Sequence, residues 1–373
     1  MVERHHSTSN IPPLIQLMDD SAQLSPHEVF SEYVKDIGVE QFQEFYRQMV
    51  IVRRFDDEAT ALQRQGQLSL WVPSRGQEAA QVASGFALSP EDYVVPSYRE
   101  HALAFSRGVP LEQLMPFFRG SGTCGWDIKK HRFHPYTVVL AAQVPQAVGY
   151  AMSMKRACSS GEYSSQPVVA VYFGDGSSTE GDVHESMVFA ASYDAPVLFF
   201  VQNNRWAISV PFETQSRVPI ATRAQGYGFE GLRVDGNDVL AVVAATRYAL
   251  EKIRAGEGPV LIEAETYRLG AHTTADDPTK YREEQELQEY SALDPLLRLE
   301  KYLRDHYAVS DSFFEQVQQE ASMIAQQVRE YTLNSEPEDF EKNFDNVYAQ
   351  PHTQTETDRA FYREYLEGFE DED

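Results

Sequence analysis

Two apolar runs, each broken by a polar turn, set the architecture of this chain. Val168 to Phe173 is uninterrupted hydrophobic sequence and ends at Gly174-Asp175-Gly176. Val197 to Val201, introduced by Pro196, is a second such run and ends at Asn203-Asn204. Runs of this length without polar alternation suit strands buried on both faces, the condition of a parallel sheet. Between them Val183, Met187, Ala190 and Ala191 recur at helical spacing. Thr179, with Asp182 three residues later, has the form of a capping box and predicts the helix start there. Strand, helix and strand then make one right-handed crossover unit. A further unit is expected beyond it. It comprises a short strand over Leu232–Val234, a helix over Leu240–Arg254, a break at Gly256-Glu257-Gly258-Pro259 and a strand over Val260–Glu263. The fold class is α/β, a parallel sheet flanked by helices.

Around this centre the pattern is helical. Phe42, Phe45, Tyr46, Met49 and Val52 share one helical face, and Gly66 suits the end of that helix. A second helix is predicted over Gln77–Ala87. Gly120 to Tyr136 is rich in Gly, His and basic residues and reads as a loop. Beyond Glu283 Leu296, Leu299 and Leu303 share a face. The expected division is an N-terminal arm over residues 1–37, a cofactor-binding α/β domain over 38–283, and a helical region over 284–373 with an acidic tail. The first ten residues are polar and lack the apolar stretch of a signal peptide. Cys124 and Cys158 form no metal or redox pattern. With a net charge of −25 the chain is expected to be cytoplasmic and to bind neither nucleic acid nor membrane, so any phosphate site must be local.

Asp175 and Asn204 each follow the carboxyl end of a predicted parallel strand, the edge where open α/β sheets bind ligands. The intervening helix links those strands, so their tips are expected side by side. A carboxylate and an amide oxygen are hard donors of the kind Mg²⁺ takes, leaving its other positions to water and phosphate oxygens. Gly174 and Gly176 remove side-chain bulk, which lets backbone approach a diphosphate. The following helix start favours an anion. Gly-Asp-Gly alone is an ordinary turn and Asn-Asn alone an ordinary loop. Their pairing after two apolar strands is what points to a metal-bridged diphosphate.

The segment Gly174-Asp175-Gly176-Ser177-Ser178-Thr179-Glu180-Gly181-Asp182 followed by Asn203-Asn204 resembles the thiamine-diphosphate signature. Gly174 to Pro211 is similar to the E1 alpha subunits of pyruvate and branched-chain 2-oxo acid dehydrogenases. Gly76-Gln77-Glu78-Ala79, Tyr98-Arg99, Ala142 to Ala147, Val234 to Asp238, and Thr266 through His272 to Arg282 extend the resemblance over roughly residues 40 to 330. It implies that Asp175, Asn204 and the main-chain carbonyl of Trp206 ligate Mg²⁺. Gly174, Gly176 and Ser177 would meet the diphosphate through backbone, and Tyr98 and Arg99 would hold it. Val138 and Leu140 would meet the aminopyrimidine ring through backbone, and His272 would contact the cofactor and act in catalysis. His131 and His134 are weaker candidates, in a run from Lys129 that reads as a solvated loop. At position 202, where some members use Arg toward phosphate, this chain has Gln202.

The resemblance also implies the chemistry: decarboxylation of a 2-oxo acid, pyruvate first or 3-methyl-2-oxobutanoate as the alternative, with acyl transfer to the lipoyl group of an E2 acyltransferase. The family carries an essential Glu on a beta subunit, so an α2β2 heterotetramer is expected, with this chain inactive alone. Two other readings of the residues are a Mg²⁺-dependent phosphohydrolase using Asp175 and a non-enzymatic scaffold. The acidic end, Glu367 to Asp373, reads as a solvated tail.

Overall fold

The computed structural model of the chain describes residues 11–122, 124–336, 339–345 and 347–370. The polar tail with His5 and His6, and the final Asp371–Asp373, lie outside the described residues. The strands are β1 (Leu14–Ile15), β2 (Tyr93–Val95), β3 (Val169–Gly174), β4 (Val197–Asn203), β5 (Trp206–Ala207), β6 (Val210–Pro211), β7 (Glu230–Asp235) and β8 (Val260–Glu265). Six of them form one parallel sheet in the order β1-β7-β8-β4-β3-β2, while β5 and β6 pair as a small antiparallel ribbon.

The two apolar runs become β3 and β4, direct neighbours with Gly174 registered against Gln202. Their lack of alternation is explained by what lies on each side. Ala170, Tyr172, Leu198 and Phe200 enter one core, and Val169, Val171, Phe173, Val197, Phe199 and Val201 enter the other. A strand turns successive side chains to opposite faces, so only continuous hydrophobicity serves a sheet covered twice. The first core is closed by α1 (Val39–Arg64) and α2 (Glu78–Ala87), and the second by α3 (Gln143–Ser159) and α4 (Gly181–Ser192). The helix α5 (Val239–Arg254) returns to the first face. Phe42, Phe45, Tyr46, Met49 and Val52 are all buried along α1, and Gly66 follows it with φ +75°. Beyond the sheet, α6 (Pro295–Tyr307) and α7 (Asp311–Asn334) pack on α1, burying Leu299, Leu303 and Phe314.

Four details differ from the sequence reading. Thr179 does not cap α4: it ends a 3-10 turn over Ser177–Thr179, and its hydroxyl donates to the Gly176 carbonyl at 2.9 Å. The extended residue before the helix is Glu180, without a side-chain cap bond. The 120–136 stretch contains one helical turn, Ile128–His131, because the Asp127 carboxylate accepts from the Lys129 and Lys130 N–H groups. The arm contributes β1 to the sheet edge, paired with β7. Glu367 lies on a helix, α8 (Thr353–Glu370), and is exposed there. Among the described residues no helix is long and apolar enough to cross a membrane.

Asp238 fastens the arm. Its Oδ1 caps α5, accepting from Leu240 and Ala241 N–H, while Oδ2 accepts from Leu17 N–H at 2.7 Å and Met18 N–H at 2.6 Å. Replacing it with Ala removes a cap and leaves buried N–H groups unpaired. Asp238→Ala is expected to lower the unfolding free energy by about 2 to 4 kcal/mol. Chemical denaturation of the full chain measures this, and faster amide exchange at Leu17 and Met18 should accompany it.

Candidate active site

The carboxyl ends of β3 and β4 open into a cavity of about 600 Å³. Tyr98, Arg99, Val138, Leu140, Gly174, Asp175, Gly176, Ser177, Asn204, Trp206 and His272 all line it. Residues separated by more than 170 positions thus meet in one space, because the strand tips and the loops after β2 and β8 converge on the same sheet edge.

Asp175 leaves β3 almost fully buried and accepts a hydrogen bond from Gln215 Nε2 at 3.1 Å. It forms no ion pair among the described residues. Burial raises its carboxyl above the usual range, outweighing the hydrogen bond from Gln215 and the charge of Arg268. One strand away, Asn204 gives its amide nitrogen to Gln77 Oε1 at 3.2 Å. That fixes the orientation of the Asn204 amide, whose oxygen takes the Trp206 N–H at 3.2 Å. Gln77 Nε2 is buried without an acceptor, a polar atom pointing to a missing partner. An added Cβ at Gly176 would lie 2.8 Å from the Cβ of Ala207, so only glycine lets the β5 turn close over this loop. At Gly174 the nearest atom is 4.0 Å away, the Gln202 carbonyl oxygen.

The β5–β6 turn holds Ile208 at φ +55°, and Arg205 just before β5 has φ +69°. Arg268 stabilises it, donating to the carbonyls of Trp206 at 3.0 Å and Ile208 at 2.7 Å. Val138 and Leu140 remain largely exposed where they meet the cavity, ahead of Ala141 at φ +65°.

Arg99 is buried and donates to the Pro73 and His272 carbonyls and to His272 Nδ1 at 3.1 Å. A guanidinium can only donate, so Nδ1 carries a lone pair and the His272 proton sits on Nε2. Burial, with the charges of Arg99 and Arg268, pushes the imidazole down to about 3. A free imidazole titrates near neutrality; burial and the arginines packed around the loop prevent that here. The loop is pinned from the other side by Asp276, which accepts from the His272 N–H at 2.8 Å and from Tyr281 Oη.

His131 and His134 are not among the cavity residues. His131 faces the Arg107 carbonyl and His134 the Tyr93 hydroxyl. The sequence reading missed Glu100, Gln77 and Gln215 as cavity residues. Glu100 adjoins Tyr98-Arg99 and Gln77 lies in a motif already singled out, so both were within reach. Nothing in the sequence marks Gln215.

Residues 46–341 match the family described as Dehydrogenase E1 component. The chain belongs to that family. A 3-methyl-2-oxobutanoate dehydrogenase subunit alpha of Mycobacterium tuberculosis is 42% identical over 319 residues, 85% of each chain. A Pyruvate dehydrogenase E1 component subunit alpha of Staphylococcus aureus is 38% identical over 300 residues, covering 78% of this chain and 77% of that one. The cavity at the β3 and β4 tips is therefore the candidate active site of an E1 chain.

In the cofactor-free protein the His272 ring is expected to stay neutral, as the Nε2–H tautomer, throughout the range above about pH 5. Nitrogen-15 NMR of labelled imidazoles tests this. Titration of His272 between about pH 6 and 7 would show that its Arg99 contact is absent in solution.

Proposed function

We propose that this chain is the alpha half of a thiamine-diphosphate- and Mg²⁺-dependent E1 that oxidatively decarboxylates a short 2-oxo acid. The observation that carries the reading is the pairing of a buried carboxylate lacking an ion partner, Asp175, with Asn204 on the neighbouring strand tip, inside a cavity that also holds Arg99. Among the described residues no group of three or more His, Cys, Asp or Glu is placed to hold a metal. Asp175 therefore needs oxygen partners of other kinds, which suits Mg²⁺ shared with phosphates. In this reading residues 38–283 form the cofactor-binding domain.

Asp175, the Asn204 side chain and the Trp206 carbonyl would hold Mg²⁺. The Trp206 carbonyl would use its second lone pair, Arg268 occupying the first. Tyr98, Arg99 and the backbone of Gly174, Gly176 and Ser177 would hold the diphosphate, and the backbone of Val138 and Leu140 the aminopyrimidine. When bound, thiamine diphosphate supplies the carbanion that attacks the 2-oxo carbon and the electron sink that accepts the pair released with CO₂. The chain's own work is positional and electrostatic. Arg99 delivers positive charge without a carboxylate partner of its own, because its side-chain bonds go to carbonyls and His272. Neutral His272 offers an Nε2–H donor, and a donor that does not ionise near neutral pH can hold a developing oxyanion or pass a proton.

The exposed Val138, Leu140, Ile208 and Val210 also line the cavity, so one wall is open to a second chain. A beta subunit would close it and supply the carboxylic acid that prepares the cofactor, giving an α2β2 assembly. An E2 acyltransferase lipoyl group would then accept the acyl product, and the assembly would work in the cytoplasm. Pyruvate is the first reading of the substrate. 3-Methyl-2-oxobutanoate is the second, favoured by the 42% identical relative and by an apolar cavity wall that includes Leu70, Val72, Phe117 and Phe118.

The chain alone, with thiamine diphosphate, Mg²⁺, a 2-oxo acid and an artificial acceptor, is expected to show no turnover, and co-expression with its beta subunit to restore it. Asp175→Ala in the restored enzyme should lower kcat/KM at least about a hundredfold. Turnover by the chain alone, or by the Asp175→Ala enzyme at full rate, counts against the proposal. The ratio of kcat/KM for pyruvate and 3-methyl-2-oxobutanoate assigns the substrate.

A further inference from the structure

Gln215 is the one side chain bonded to Asp175 among the described residues: its Nε2 donates to Asp175 Oδ2 at 3.1 Å. The backbone N–H groups of Asp175 itself and of Asn204 also face that carboxylate. The same Nε2 donates to the Val210 carbonyl at 3.3 Å. A carboxylate and a carbonyl can only accept, so the amide nitrogen must face both and Oε1 must turn away. Oε1 then lies beside the Gly176 loop, 3.8 Å from where a Cβ on that glycine would stand.

The position of Gln215 is set by its neighbours. It ends the helical turn Phe212–Gln215, directly after β6. The Phe212 N–H donates to the Arg205 carbonyl at 2.9 Å and closes the base of the β5–β6 ribbon, and the Phe212 ring packs against the second core. Ser216, the next residue, donates its N–H to the Phe212 carbonyl at 2.9 Å, and its hydroxyl accepts from Arg223 at 2.9 Å. Arg223 donates in turn to the Ser178 carbonyl at 2.7 Å, in the turn that follows Asp175. Both flanks of residue 215 are therefore tied to the core or to the loop carrying Asp175.

An amide suits this place better than a cation. A lysine or arginine at 215 would pair with Asp175 and compete with a metal ion for the carboxylate. The Gln215 N–H holds one carboxylate oxygen and leaves the negative charge in place. It also joins the strand tip that carries Asp175 to the ribbon that carries the Trp206 carbonyl, two of the oxygens proposed as metal ligands.

We propose that Gln215 is a positioning residue of the metal site: it fixes the rotamer of the Asp175 carboxylate against the ribbon and so sets the affinity of this chain for the divalent cation. The inference rests on the function proposed above. Carboxylates that ligate metals are held by such outer partners, whose loss weakens metal binding by about 10- to 100-fold. A residue that only closed the ribbon would act through folding, and another donor at 215 would replace it.

The test is Mn²⁺ binding, followed by electron paramagnetic resonance, in the full chain co-purified with its beta subunit and supplied with thiamine diphosphate. Gln215→Met keeps the length and removes the donor, and is expected to raise the Mn²⁺ Kd about 10- to 100-fold. Its melting temperature without metal should match wild type, and its kcat should recover when Mg²⁺ saturates. Gln215→Lys keeps a donor and adds charge, and is expected to weaken Mn²⁺ binding at least as much. A Kd for Gln215→Met within about twofold of wild type overturns the proposal. A lower melting temperature, or a kcat that saturating Mg²⁺ does not restore, marks a distorted ribbon and also overturns it. If Gln215→Met does not fold, wild-type affinity in Gln215→Lys overturns it. Asp175→Ala separates the two readings. Where it binds Mn²⁺ as wild type does, the proposed metal site falls and this inference with it. Where Asp175→Ala loses Mn²⁺ and Gln215→Met does not, only this inference falls.

Discussion

The whole site depends on β3 and β4 being direct parallel neighbours with Gly174 opposite Gln202. Parallel neighbours lie about 4.8 Å apart, so the residues just past their ends, Asp175 and Asn204, are forced to share a space. A slip of one residue would turn Phe173 and Val201 towards the wrong core and draw the two donors apart. The register is therefore fixed by hydrophobic burial on both faces of the sheet. The polar site inherits its geometry from the two cores.

Charge is arranged with the same economy. The chain carries a net charge of −25, yet Arg99, Arg268 and Arg282 are all buried around the cavity. Their hydrogen bonds go mainly to carbonyl oxygens: Pro73 and His272 for Arg99, Trp206 and Ile208 for Arg268, Arg268 for Arg282. A carbonyl satisfies the guanidinium N–H groups without cancelling the charge. Positive potential therefore survives here within an acidic protein, and its cost is visible in Arg268, pulled down to about 10 by burial and its neighbours. Arg53 shows the alternative. It is bound by Glu78 and Asp294, and its charge is spent on structure.

Much of this was legible in the sequence because it rests on local pattern. Apolar runs of one strand length, helical spacing in α1 and α5, and Gly-Asp-Gly after a strand are short-range signals. The resemblance then extended the site to Tyr98, Arg99 and His272, which no periodicity would have joined. What escaped was set by packing. Thr179 has the sequence of a cap, but a 3-10 turn claims its hydroxyl. The two-residue strand β1 is too short for any pattern and exists because Asp238 holds Leu17 and Met18 beside β7. The protonation of His272 is likewise invisible in a chain where the residue stands between Ala271 and Thr273, since it is decided by burial and by arginines at 99 and 268.

One lattice joins the turn proposed to carry the metal to the loop proposed to carry the proton donor. Arg268 holds the Trp206 and Ile208 carbonyls and also donates to Tyr281 Oη at 2.8 Å. Tyr281 donates to Asp276, and Asp276 accepts the His272 N–H. Each link is an ordinary hydrogen bond, individually about 1 kcal/mol net, but the chain of them has no flexible member, because every partner is a backbone group or a side chain held at a second point. Displacing the Trp206 carbonyl would move the guanidinium that positions the His272 loop. The converse also holds. A site built from separate loops thereby behaves as one rigid frame, which is what stabilising a charge that appears only during reaction requires.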